Sequence, residues 1–358
     1  MQNIFKKLEE NIKKSKRTRK MIILIFCIVF LFFMYTITNY ADLVGVYNTQ
    51  NDVSEKLKNM DITLGGQAVG IKLLAEGVLV VSIDRDDINN IQVGDVILSV
   101  NGIKIDTNAE LANYAKISNG APLQLQVERN GVKYMTTIKP IIDEISGEYK
   151  LGLWVKDSSA GVGTVTFYDK KNLKFAALGH GVTETKDNVV LPIESGGITQ
   201  TKIYSLKKGV SRDPGEIRGT LTTTLIGQIY KNTEKGIYGK LESDDMLKNS
   251  KSIAILSKSK VKEKAAKIYC TLDDNIVESY DIVIEKVLLT SKGNKNMIIK
   301  VTDPKLIAKT GGIIQGMSGS PIVQDGKLVG AVTHVFLNDP LKGYGVFIED
   351  MVEDMSSM

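Results

Sequence analysis

Along the chain the spacing of apolar positions changes several times, and each change marks a different kind of element. Residues 21–38, MIILIFCIVFLFFMYTIT, are one apolar run without a charge. As a helix rising ~1.5 Å per residue the run would be ~27 Å long, close to the ~30 Å hydrocarbon thickness of a bilayer. From residue 61 to 140 the pattern breaks into short strands, tight turns and one helix. GVLVVSI (77–83) is a buried strand, VGDVILSVNGIKI (93–105) turns at Asn101-Gly102, and PLQLQVERNGVKYMTTIKP (122–140) alternates about Asn130-Gly131. Asn-Gly between alternating runs predicts a hairpin because both residues tolerate the left-handed backbone of its turn. TNAELANYAKIS (107–118) opens with Thr107 and carries Glu110 three positions later, the capping box of a helix start. From 150 to 350 the period of two dominates. GVGTVTFYD, KFAALG, GTLTTTLIGQIY, KSIAILS, YDIVIEKVLL and NMIIKVT are strand candidates, and KEKAAKIY suggests a turn or two of helix. QGMSGSPIVQDGKLVGAVTH (315–334) adds a hairpin about Asp325-Gly326. So many short strands over ~200 residues predict a β-barrel or a pair of barrels.

Charge changes the picture at one end. The net charge of +5 divides into +6 on residues 1–20, with eight Lys or Arg against Glu9 and Glu10, and −1 on all the rest. No folded face carries the spread of basic residues that nucleic acid requires, so a nucleic-acid partner is excluded. The basic tail beside the apolar run predicts a signal-anchor with residues 1–20 cytoplasmic and everything after residue 38 exported. A cleaved signal peptide is the rival, but the run is long for one and no A-x-A site follows. Residues 39–60, polar and mixed, are expected to form a stalk. Cys27 lies in the membrane run, so Cys270 is the one exported thiol and is expected to be a buried structural residue.

VGDVILSVNG and the short helix after it resemble a PDZ domain of the bacterial kind, spanning 61–140. LGGQAVGIKLL (64–74) is similar to the loop that takes a peptide carboxylate and to the strand that follows it. The resemblance implies that the backbone near Gly70, Ile71 and Lys72 binds peptide termini by strand addition, including termini of the protein itself.

The candidate chemistry lies in the last 200 residues. Gly-Met-Ser-Gly-Ser-Pro (316–321) sets Ser318 between glycines that allow a tight, left-handed path, able to lift a hydroxyl out of a sheet and gather N–H groups at one point. A serine nucleophile needs a base, and the chain has two histidines, His180 and His334. His180 follows an apolar strand between Gly179 and Gly181, where a side chain can project into a cleft, so it is the candidate base. His334 ends the hairpin after Ser318 and suits a pocket wall. The acid that fixes the imidazole tautomer could be Asp187, Asp213, Asp273, Asp274, Asp281 or Asp303, the last at a strand end before Pro304. A zinc peptidase is excluded, because there is no H-E-x-x-H and too few His and Cys. The chemistry calls for no metal and no cofactor.

LGHGVT, VTDPKLI and QGMSGSPIVQDGKLVGAVTHVFLNDPLKGYGVFIE together resemble the SpoIVB peptidase family, membrane-associated serine peptidases of endospore formers. The resemblance implies a mainly β chain: a transmembrane helix, an α+β PDZ domain and a chymotrypsin-like double β-barrel over 150–350. It implies His180 as base, Asp303 as orienting acid, Ser318 rather than Ser320 as nucleophile, and the N–H groups of Gly316 and Ser318 as the oxyanion hole. Gly312 stands six residues before Ser318, where trypsin-like enzymes carry an acid, which argues against basic-residue specificity. The implied role is sporulation signalling from the inner forespore membrane, facing the space between the two membranes. The protein substrate there would be a regulator of an intramembrane protease that processes a sigma-factor precursor in the mother cell. An envelope quality-control peptidase usually places its PDZ after the protease domain, and a non-catalytic PDZ scaffold would need neither His180 nor the frame of Ser318; these are the alternatives.

Overall fold

The computed structural model describes residues 30–35, 60–183, 189–248, 250–273 and 276–358. Residues 30–35 are helical; the rest of the predicted span 21–38 and positions 39–59 of the predicted stalk lie outside the described residues. Among the described residues no helix is long and apolar enough to cross a membrane.

Residues 59–358 form one compact unit, organised by two long strands. β2 (Ala68–Ile83) and β9 (Leu153–Asp169) run antiparallel from Ala68 opposite Thr164 to Ile83 opposite Leu153. β1 (Ile62–Leu64) pairs with the far end of β9. After β2 the chain builds the domain that resembles PDZ: β3 (Val96–Val100), β4 (Ile103–Lys104), α1 (Asn108–Ile117), β5 (Leu123–Arg129) and β6 (Val132–Ile138). A short hairpin of β7 (Ile141–Ile142) and β8 (Tyr149–Lys150) follows. The turns are those expected: Asn101-Gly102 and Asn130-Gly131 both have positive φ at each position, and so does Asp325-Gly326 further on. Thr107 and Glu110 make both bonds of the capping box at α1.

The other ends of β2 and β9 join β10 (Lys174–Ala177), β11 (Ile193–Lys207), β12 (Glu216–Thr233) and β13 (Gly236–Leu241). The order β2-β9-β10-β13-β12-β11, with β11 paired back to β2, closes a six-stranded barrel. The second barrel closes as β14 (Ala265–Thr271), β15 (Val277–Val287), β16 (Met297–Val301), β19 (Asp339–Phe347), β18 (Lys327–Phe336) and β17 (Pro321–Gln324). Numbered along the chain, both barrels have the order first, second, third, sixth, fifth, fourth. Two helices belong to the second half: α2 (Pro304–Thr310) between β16 and β17, and α3 (Ile348–Ser356) after β19.

Three apolar cores hold these parts. Val78, Ile97, Leu111, Leu125 and Ile138 are buried together in the PDZ domain. Leu73, Val165, Phe175, Ile198 and Ile237 fill the first barrel, and Ile268, Ile284, Ile299, Met317 and Val332 fill the second. Each such apolar side chain contributes about 1.5–3 kcal/mol on burial, so each part carries a core of its own.

Two expected elements differ. KEKAAKIY supplies β14 from Ala265 onward instead of a helix, because β15 and β17 pair with it on both sides. KSIAILS (251–257) is no strand but an extended link between the barrels: Ile253 N–H donates to Ile62 O and Leu256 N–H to Leu328 O.

Candidate active site

β10 ends at Ala177, and the chain then reverses through Leu178 (φ 70°) and Gly179 (φ 68°), whose N–H returns to Ala177 O at 2.9 Å. A leucine in the left-handed region costs about 1–2 kcal/mol. Burial of the Leu178 side chain and its N–H bond to Thr164 O offset that cost. The reversal puts His180 on the wall of a cleft of about 560 Å³ that also exposes Ser318 and His334. His180 Nδ1 lies 2.8 Å from Gly181 O. A carbonyl can only accept, so Nδ1 carries the proton and Nε2 is the bare nitrogen.

Ser318 occupies the corresponding place in the second barrel, the connection from third to fourth strand. Its Oγ donates to Thr333 O at 2.7 Å. Ser320 is fully buried and its Oγ donates to Met317 O at 2.6 Å, which removes it as a nucleophile. Around Ser318 the N–H groups of Met317, Gly319 and Ser320 are bonded to Ile314, Val332 and Met317 carbonyls. Among the described residues the N–H groups of Gly316 and Ser318 have no acceptor. Thr164 of β9 seats this loop: its N–H donates to Ser318 O (3.0 Å) and its Oγ1 to Gly316 O (2.8 Å). A Cβ on Gly319 (φ +95°) would lie 2.0 Å from Thr164 O, so this approach of loop to strand requires glycine. Nothing in the local pattern of TVTFYD singled out Thr164.

His334 packs its ring against that of His180, centroids 4.8 Å apart, and its Nδ1 is buried without a partner among the described residues. Burial, then the charges of His180 and Lys295, push the His334 pKa down to about 4. Burial also lowers that of His180, which its bond to Gly181 only partly opposes. Apart from the histidines, Lys295 is the one ionisable basic or acidic side chain lining the cleft among the described residues, and its ammonium lies 5.3 Å from the Tyr344 ring centroid.

A model described as SpoIVB peptidase S55 matches residues 147–352, more than half of the chain. The chain belongs to the SpoIVB peptidase S55 family. A PDZ domain is matched at residues 53–139. The chain is 26% identical over 129 residues to the zinc metalloprotease RasP of Geobacillus kaustophilus, a match over 32% of this chain and 30% of that protein. The chain thus spans under a third of that curated relative. The PDZ domain of an SdrC-like protein from Listeria monocytogenes is similar at 23% identity over 23% of this chain and 90% of that one, with TM-score 0.21. The active form of the Rv3671c protease from M. tuberculosis is similar at 9% identity over 56% and 74%, TM-score 0.32. The HtrA-type protease AlgW with a decapeptide is similar at 9% identity over 85% and 66%, TM-score 0.36.

Two expected site assignments of this S55 peptidase need correction. Asp303 does not line the cleft. Its Oδ1 accepts from Lys305 N and Leu306 N as the N-cap of α2, and its Oδ2 accepts from Asp281 N. Burial would raise its pKa, but the N–H groups of Asp281, Leu306 and Lys305 outweigh that and hold it below the ordinary value. Asp-Pro at a strand end was the signature of a helix start, with Asp as cap and Pro at the first helical position. The orienting partner of His180 is the carbonyl of Gly181. Asp303→Asn, which preserves the cap, is therefore expected to keep peptidase activity within about three-fold, whereas Asp303→Ala lowers stability by about 1 kcal/mol. An amide in place of an orienting acid would instead cost about 10⁴ in rate. Peptide cleavage and thermal melts of the two variants decide between cap and acid.

The second correction concerns Gly70, Ile71 and Lys72. They face Thr199, Ile198 and Gly197 of β11 on one edge and Val162, Gly161 and Ala160 of β9 on the other. With both edges used, no peptide strand can add there; Ile71 lines the catalytic cleft instead. The open groove of the PDZ domain, about 500 Å³, lies between α1 and the first residues of β9, and includes Leu111, Ala115, Leu153 and Val155. The available signal was Leu151-Gly152-Leu153-Trp154-Val155, a glycine leading into a strand beyond the segment that the PDZ model matches.

Proposed function

We propose that this protein is a membrane-anchored, chymotrypsin-like endopeptidase of sporulation signalling, with Ser318 as nucleophile and His180 as base. The observation that carries the reading is one cleft holding Ser318, a histidine with a bare Nε2 and two unengaged N–H groups. Rotation about χ1 frees the Ser318 hydroxyl from Thr333 O. As Oγ attacks the peptide carbonyl, Nε2 of His180 takes its proton. The N–H groups of Gly316 and Ser318 receive the developing oxyanion. The imidazolium then protonates the leaving amine, and water repeats the sequence to release the acyl group. Gly181 O holds the ring in the required tautomer without adding the charge of a carboxylate.

The membrane setting rests on the basic tail and the apolar run 21–38, and the sporulation role on the family. The substrate in this reading is a membrane regulator whose cleavage starts processing of a sigma-factor precursor. A fluorophosphonate probe is expected to label the full chain at Ser318, and a protease added to the cytoplasmic side of sealed vesicles to trim only the N-terminal tail. Absence of labelling would overturn the catalytic reading, and digestion of residues 60–358 the membrane one.

A further inference from the structure

β9 belongs to both sites. Leu153 and Val155 face the PDZ groove, Ser159, Ala160, Gly161 and Val162 line the catalytic cleft, and Thr164 holds the Ser318 loop. β2 occupies one edge of β9 along this whole length. On the other edge β10 pairs only from Val165 onward, so no described strand pairs with Leu153–Gly163 there. Thr164 directs its N–H and C=O to that open edge, toward Ser318 O and Leu178 N. The pairing with β2 has no register shift from Ser158 to Thr164, so Ala160 and Val162 direct theirs the same way. Between Ser158 and Lys156 the pairing with β2 shifts register, which brings the odd-numbered positions to the same edge further down: in the groove Val155 O faces α1 and accepts from Asn108 Nδ2 at 3.2 Å, while Asn108 N–H donates to Asp157 Oδ2.

From this geometry, and resting on the peptidase reading above, we infer that the substrate is a free C-terminal segment laid antiparallel along β9, with its carboxylate at the Leu151–Gly152 turn and its scissile bond at Ser318. Strand addition beside a helix is how PDZ domains hold a peptide, and an antiparallel partner of β9 ends at the start of that strand. From Leu153 to Val162 is ~30 Å at ~3.3 Å per residue, so the cut falls about eight to eleven residues from the C-terminus. The single strand acts as a ruler between the two sites. Asn108 is the obstacle on the path: the arriving peptide N–H takes Val155 O in its place, and the amino terminus of α1 moves away from β9.

The test uses two pools of random peptides of about 24 residues, identical except for a free carboxylate or an amide at the C-terminus. The full chain digests both, and mass spectrometry maps the cuts. Cuts clustered about eight to eleven residues from the end, with at least about ten-fold more product from the free-acid pool, are expected. Asn108→Ala should raise cleavage of the free-acid pool relative to that of the amidated pool by several-fold, and an unchanged ratio would remove Asn108 from the path. Equal rates for the two pools, or cuts without reference to the C-terminus, overturn the ruler. No cleavage of either pool with Ser318 still labelled by a fluorophosphonate overturns the ruler and leaves the peptidase reading standing. No cleavage and no labelling remove both.

Discussion

Ser318→Ala is expected to lower peptide hydrolysis by about 10⁴–10⁶-fold, leaving the residual rate that an oxyanion hole and binding provide on their own. The fold should hardly notice. What is lost is one hydrogen bond to Thr333 O, worth about 1 kcal/mol, from a side chain at the wall of the cleft. Ser320→Ala provides the contrast. That hydroxyl is fully buried and bonded to Met317 O, so its removal should lower the melting temperature while most of the activity of the folded fraction persists. Rates on one peptide substrate, paired with thermal melts, separate the two serines. Wild-type turnover in Ser318→Ala would reassign the nucleophile.

His180→Ala is expected to lose nearly as much, because among the described residues no other group with a bare nitrogen is positioned by a backbone acceptor in the cleft. His334→Ala should cost far less, since His334 touches His180 through its ring face and serves as packing. The pH dependence carries the same distinction. Burial lowers the pKa of His180, so the neutral base persists below pH 6.5 and the acid limb of kcat/KM should have its midpoint below that value. Stability follows with its own sign. Both histidines bind protons less readily folded than unfolded, so folding is unaffected by them above about pH 6.5. It is progressively weakened as the pH falls from there toward about 4, where His334 takes its proton. Melting temperatures of the wild type and His334→Ala between pH 4 and 7 should converge at the acid end if this is correct. An acid limb of the rate profile at or above pH 6.5 would argue that another group is the base.

The amino-acid sequence by itself determined the features whose cause lies within a few residues. Asn101-Gly102, Asn130-Gly131 and Asp325-Gly326 turn as expected because left-handed φ at both positions is a local property of Asn, Asp and Gly. Thr107 and Glu110 cap α1 for the same reason. Ser318, between Gly316 and Gly319, and His180, after Gly179, stood out as candidates because glycine takes the positive φ of those turns without strain, again a local property. What the tertiary structure alone decided is partnership. An alternating run shows which residues face a core and is silent on which edge of the strand is already taken. LGGQAVGIKLL therefore resembled an open PDZ edge, yet it is a barrel strand paired on both sides. A carboxylate beside Pro304 was equally compatible with a catalytic acid and a helix cap until α2 and the N–H of Asp281 claimed both its oxygens. β9 is the largest such case. Its residues meet α1, β2, β10 and the loop of Ser318, partners drawn from across the chain, and pairing over such separations is set by the closure of whole barrels and not by any local preference of the strand itself.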